Sequence, residues 1–250
     1  GFSHPAASTL ASSRLVAKQT NETRRTERET MKVSATVRSS MTAHFLMAAA
    51  SQARAAAEIE SRLPAAVTEE DKIAHRGFVI GAIMQSTAAL ECEIWEVMVY
   101  GPGHHLGSNG IDAEARDLLF PLSELIDTQS VLERYGTVLH LLKRPGLDRG
   151  KQPWQDAGLV VRLRNELVHY KSRWSEELER SKLMQALRDK NRTKPSFIEG
   201  SANFFPHECL SASCANWAVQ VCIAFLDAFY KNLGFGGRLD PYRTRLVTTK

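Results

Sequence analysis

The chain has 250 residues, 43% of them hydrophobic, and a formal net charge of +4; that is enough to bury a real core in one domain plus a tail, and mildly basic enough to permit an anionic partner without demanding one. No run of about 18 uncharged apolar residues occurs, so neither a membrane span nor a membrane partner is expected. The four cysteines, Cys92, Cys209, Cys214 and Cys222, include no CxxC pair, and three sit in or beside an apolar helical stretch where cysteine acts as a small hydrophobe; a reducing, cytoplasmic setting is the expectation.

Residues 1–40 differ from everything after them. GFSHPAASTLASSRLVAKQTNETRRTERET is rich in Ser, Thr, Ala and Arg, poor in large apolar residues and aperiodic, the composition of a disordered or processed segment. An opening on Gly rather than Met fits truncation, processing or a native start at Met31, and Glu22, Glu27 and Glu29 argue against a transit peptide.

From Ser40 a helical pattern begins. SMTAHFLMAAASQARAAAEIESRL is built of strong helix formers and stops at Pro64. Thr68 with Asp71 reads as an N-cap with an acid three positions on. It opens a second helix from about residue 69 to Tyr100, on which Ile83, Thr87, Leu90, Ile94 and Val97 share one face. On the helical wheel Glu91 falls among Met84, Ala88 and Trp95, whereas Glu93 and Glu96 fall with Gln85 on a polar side. An acid on an apolar face is costly unless paired. That leaves Glu91 either to orient a functional group or to form a structural ion pair with any nearby arginine, Arg76 and Arg54 among them.

GPGHHLGSNG, residues 101–110, is a loop; His104 and His105 adjoin there, but no second pair at zinc-ligand spacing accompanies them. Two shorter helices follow, broken near Pro121 or Asp127 and ending at KRPGLDRGKQP. A fifth helical region runs from Trp154 to about Trp174. A charged helix, about 175–190, is expected to be exposed, and an irregular segment holds Pro195 and Pro206. The last long helix, about 208–234, carries Cys214, Trp217, Val221 and Ala224 on one stripe and Ala218, Cys222, Phe225 and Phe229 on a second, with Gly234 and Gly236–Gly237 ending it. Residues 236–250 are left as a basic C-terminal tail. With no period-two alternation, the fold class is all-α, a helical bundle over residues 41–235.

The fifth region contains VRLRNELVHYKSRW, residues 161–174. At about 100° per residue, Val160, Leu163, Leu167, Tyr170 and Trp174 stack into one apolar stripe. Arg162, Asn165, His169 and Arg173 collect opposite. Arg164 lies about 140° from His169 on an ideal helix, so the two converge on one ligand only in a shared cleft, most simply with the same helix of a second subunit. A histidine is an acid or base near neutrality, an arginine presents a fork that fits phosphate oxygens, and an amide orients what lies between. Together they suit metal-free cleavage of an RNA phosphodiester. A solvated polar face is the plain alternative, and spacing by itself does not overturn it.

Arg164-Asn165-Glu166-Leu167-Val168-His169 resembles the R-x4–6-H motif of HEPN domains, and AALECEIWE in the second helix is similar to a Leu-Glu-x-x-Ile stretch common in bacterial members. The resemblance covers residues 41–235. It implies an all-α domain that forms a homodimer with two motifs facing one cleft, and a metal-independent endoribonuclease acting as a toxin or in phage defence. Under it Arg164 and His169 are catalytic, Asn165 is a polar helper and Glu91 orients one of them. No cofactor and no metal are required. The implied partners are a second copy, RNA and an antitoxin protein. Some family members have lost activity and serve as binding or dimerisation modules, which is the alternative here. Two departures stand out. Lys171 occupies the place where one subgroup carries a modified tyrosine, the tyrosine here being Tyr170, and Trp95 stands where similar sequences often have asparagine.

Beyond the motif, Lys171, Arg173 and Arg162 are candidate phosphate contacts, as are the four basic residues of KRPGLDRGK (143–151). A metal-dependent helical hydrolase is a third class, but no helix has the paired carboxylate-and-histidine spacing that it needs.

Overall fold

The first long helix, α1 (Thr42–Glu60), buries a face made largely of Ala49, Ala50, Ala53 and Ala56, flanked by Leu46 and Ile59. Small side chains let a neighbour lie close, and α2 (Glu69–Tyr100) runs along this face as its main packing partner. A methyl group added at Gly81 would sit 2.5 Å from Gln52 Oε1, which marks how near the two helices come. This is a computed structural model, and it describes residues 40–100, 118–171, 174–190, 194–198, 200, 203–234 and 236–248. The expectations for residues 1–39, for the loop with His104 and His105, and for Arg173 lie outside the described residues.

The capping signal at the start of α2 is met in full. The Asp71 N–H donates to Thr68 Oγ1 at 3.1 Å, and the Thr68 N–H donates back to Asp71 Oδ2 at 3.1 Å, which satisfies two orphan donors reciprocally. Ile83, Thr87, Leu90, Ile94 and Val97 are all buried, as their spacing predicts. A 3-10 turn at Phe120–Leu122 leads into α3 (Ser123–Asp127), and α4 spans Val131–Leu141. The chain breaks at both of the alternative places, with Pro121 inside the turn and Asp127 at the end of α3. α5 (Trp154–Val168) stops six residues short of the expected Trp174. The charged region is two helices, α6 (Ser175–Glu179) and α7 (Lys182–Lys190), and it is not wholly exposed: Met184 and Leu187 enter the core.

A π-helical turn at Phe204–Glu208 precedes the last helix, α8 (Ala212–Leu233). Ser211 Oγ accepts the Cys214 N–H at 3.2 Å as its N-cap, and Gly234, at φ 96°, closes it in the left-handed region that favours glycine. Nearly all of the two expected stripes is buried, the exceptions being half-buried Trp217 and exposed Ala224. By length and composition α8 is apolar enough to cross a bilayer despite Asp227 and Lys231, yet more than half of its most apolar window, 56%, is buried inside this protein. Its apolar surface is used against α1, α2, α4 and α5. Tyr135 of α4 stands edge-on to Phe225 and Phe229 of α8, at 4.9 and 4.6 Å, and donates its hydroxyl to the Leu90 carbonyl of α2 at 2.7 Å. All four cysteines are free thiols, three of them buried.

Among the described residues there is no strand, and the architecture is all-α. Among the described residues, 236–248 do not form a basic tail. Leu239 and Leu246 are buried in the core, the 3-10 helix Asp240–Arg245 lies against α1, and Arg54 of α1 donates to the carbonyls of Arg245 and Val247. Charge alone made this segment read as solvated; its two leucines, seven residues apart, are what fold it back.

Candidate functional site

Three core residues hold α5 in place. Ala157, Val160 and Leu163 are fully buried against α2 and α8, so the neighbouring Arg164 is carried to the α2 side of the helix. There its guanidinium forms an ion pair with Glu91 of α2, Nη2 to Oε1, while Nη1 donates to Asn165 Oδ1 at 3.0 Å. The Arg164 side chain keeps 22% exposure. A guanidinium fixed by two acceptors retains further N–H donors for a phosphate oxygen.

His169 lies at the end of α5 rather than within it. Its backbone (φ −110°, ψ 31°) has left the helix, its N–H donates to the Asn165 carbonyl at 2.9 Å, and its side chain is exposed. Asn165 thus touches both members of the motif, Arg164 through its side-chain oxygen and His169 through its backbone oxygen. Among the described residues no hydrogen bond or ion pair joins Arg164 to His169 directly. The early stop also corrects the expected apolar stripe. Val160 and Leu163 are buried and Leu167 is partly so, but Tyr170 and Trp174 emerge into solvent, Trp174 at 82%. Val168 and Trp95 are exposed as well.

The wheel reading of α2 is also corrected. Glu91 is half-exposed on the flank facing α5, whereas Glu93 and Glu96, expected on a polar side, are buried. A wheel with one buried face fails here because α2 is packed by four helices, α1, α4, α5 and α8. Glu91 pairs with Arg164, whereas Arg54 binds C-terminal carbonyls and Arg76 binds His207.

The inward acids form a network that sequence reasoning missed. Arg238 Nη2 lies 3.6 Å from Glu93 Oε1, and its guanidinium stands over the Tyr230 ring at 5.3 Å. Burial pushes the Glu93 carboxyl above the usual carboxylate range, Arg238 draws it part of the way back, and Glu96 raises it again. Glu96 Oε1 accepts the Met41 N–H and the Cys92 thiol, each at 3.0 Å. Burial, reinforced by that hydrogen bond to Glu96, pushes the thiol up to about 11, which keeps Cys92 protonated and unreactive at neutral pH. The signal was present in the sequence as two acids one turn apart on a helix apolar nearly all round.

Of the weaker candidates, Arg162 is exposed with Nε on the Gly158 carbonyl at 3.2 Å, and Lys171 is exposed. The 143–151 loop is less available than its charge suggests, since Arg149 pairs with Glu133 at 2.5 Å and Lys151 with Asp148 at 3.1 Å. Among the described residues no group of three or more His, Cys, Asp or Glu side chains is placed to hold a metal ion. Compared with family models, curated proteins and solved structures, the chain gives no match.

Proposed function

We propose that this chain is a metal-independent endoribonuclease of HEPN type, a toxin or phage-defence effector, working as a homodimer in which two α5 termini face one cleft. The observation that carries the reading is the Arg164–Glu91 ion pair, which holds a partly exposed guanidinium one residue before the amide that also anchors His169. In this mechanism the ribose 2′-hydroxyl attacks the adjacent phosphorus and His169 takes its proton. The phosphorus–5′-oxygen bond breaks, and the 5′-oxygen takes a proton from the His169 imidazolium of the second copy. Arg164 stabilises the extra negative charge on the phosphoryl oxygens, and Glu91 positions it. The products are a 2′,3′-cyclic phosphate and a 5′-hydroxyl.

Incubation of the purified chain with total RNA or tRNA, in the presence of EDTA, tests this beside Arg164→Ala and His169→Ala. Cleavage by the wild type with loss of about 100-fold or more in each variant supports it, within the range that general acid–base groups contribute. Equal cleavage by all three, or by none, removes it.

A non-catalytic module for dimerisation and for nucleotide, RNA or protein binding is the second reading. The exposed Val168 within the motif and the exposed Tyr170 and Trp174 after it favour it, because exposed large apolar groups are available for contact with a partner. It predicts a stable dimer without turnover, and function that tolerates His169→Ala.

A further inference from the structure

At the far end of α2 from Glu91, a cleft of about 400 Å³ opens between the first turns of α2, the segment 195–198 and the turn that precedes α8. Arg76, which lines it, is fifteen residues from Glu91, or about 22 Å along the helix axis, so the cleft is separate from the Arg164 site. Its volume lies in the range of small-molecule sites, about 300–1,000 Å³.

One wall carries the side chains of Arg76 and His207, with Glu69 and Lys72 at its edge. Arg76 Nη2 lies 3.2 Å from His207 Nδ1. A guanidinium cannot accept a hydrogen bond, so Nδ1 is the acceptor and the neutral imidazole carries its proton on Nε2. The pair therefore presents guanidinium N–H groups and one imidazole N–H to any ligand. Among the described residues no carboxylate pairs with Arg76, whereas Lys72, also at the cleft, is paired with Glu69 at 2.8 Å.

The other wall is apolar and tied down. Phe197, Ile198 and Leu210 line it. Buried His75 meets the Phe197 ring edge-on at 5.0 Å and places Nε2 2.7 Å from Glu60 Oε1. Glu60 also accepts the Ala212 N–H on Oε1 at 2.7 Å and the Ser196 hydroxyl on its carbonyl at 2.6 Å. The end of α1, the start of α2, the 195–198 segment and the start of α8 are thus joined through one acid. Gly77 lines the cleft too, and a Cβ added there meets nothing within 4 Å.

We propose that this cleft binds a small aryl anion, a phosphate or carboxylate head on Arg76 and His207 with a flat ring against Phe197 and Leu210. The reading is independent of the ribonuclease assignment. Phenyl phosphate titrated into the full chain by calorimetry tests it, with inorganic phosphate and benzyl alcohol as the two halves of the ligand. The expected result is a dissociation constant for phenyl phosphate at least tenfold below either half. Arg76→Gln should weaken it at least tenfold, and Gly77→Trp, which fills the cleft, should abolish saturable binding with helicity and melting unchanged. Arg164→Gln should leave it as in the wild type. No saturable binding by the wild type, equal binding by Arg76→Gln and Gly77→Trp, or loss of binding in Arg164→Gln would each overturn the proposal.

Discussion

The guanidinium of Arg164 and the carboxylate of Glu91 meet across the seam between α5 and α2, and both side chains keep contact with solvent, at 22% and 45% exposure. A pair this exposed adds little to stability, about 0–1 kcal/mol, so its value is in orientation. Glu91→Gln should shift the unfolding free energy by no more than about 1 kcal/mol, read by urea denaturation. The same variant should lower RNA cleavage by about 100-fold, the scale of a small misplacement at a reacting centre. A large loss of stability with activity retained would make Glu91 a structural residue instead.

Glu93 and Arg238 give a second, pH-dependent expectation. The folded state holds the Glu93 proton to a pH above its ordinary value of 4.5, chiefly through burial. A group whose folded pKa is raised contributes its stability fully below the unfolded value and loses it as pH rises through the folded value. Glu93→Gln, which keeps the shape and removes the charge, should therefore be more stable than the wild type at pH 7–8, by about 1–3 kcal/mol, the cost of an ill-satisfied buried group. The difference should close on acidification below about pH 4. Arg238→Gln removes the partner that offsets the burial and should act in the opposite direction at neutral pH. Thermal melts of the three proteins across this pH range check both signs.

Much of the fold was legible because helix punctuation and packing faces are local signals. Thr68 and Asp71 form their reciprocal cap, Ile83 to Val97 face inward, and Gly234 turns left-handed where α8 ends. The errors share one cause: a wheel or a charge pattern cannot show how many neighbours surround an element. Glu91 and Glu93 exchanged places because α2 is enclosed on more than one side. Tyr170 and Trp174 extend the apolar spacing beyond Val168, although the helix has already stopped there. At the site, Arg164 with Glu91 was readable as one of two fates for an awkward acid. The Glu93–Arg238 contact was not, since 145 positions separate the two residues and the second was assigned to a tail.

The folded-back C-terminal segment is testable by stability alone. Leu246 is 3% exposed and sits in the core beside Leu239. Truncating a buried leucine costs about 2–5 kcal/mol through lost transfer energy and the cavity left behind. Leu246→Ala should therefore lower the denaturation midpoint measurably, while Val247→Ala, at a half-exposed neighbour, should change it by less than about 0.5 kcal/mol. Equal and negligible effects in both would return the segment to the status of a tail.

Arg162 and Lys171 flank the motif without touching it, and both are exposed. If they grip phosphates they do so as point charges, sequence-independently, with counterions released on binding. For single-stranded RNA each neutralised phosphate contributes about −0.7 to the slope of log affinity against log salt. Arg162→Gln and Lys171→Gln should each make that slope shallower by about 0.7, in a catalytically silent His169→Ala background, and should weaken binding uniformly across RNA sequences. Arg149→Gln is the contrasting variant. Its guanidinium is already held by Glu133 at 2.5 Å and lies over the Trp154 ring at 5.4 Å, so its loss should leave the slope unchanged. Fluorescence anisotropy with two unrelated oligonucleotides at several salt concentrations distinguishes the cases: a slope altered by Arg149→Gln alone would move the RNA path to the loop before α5.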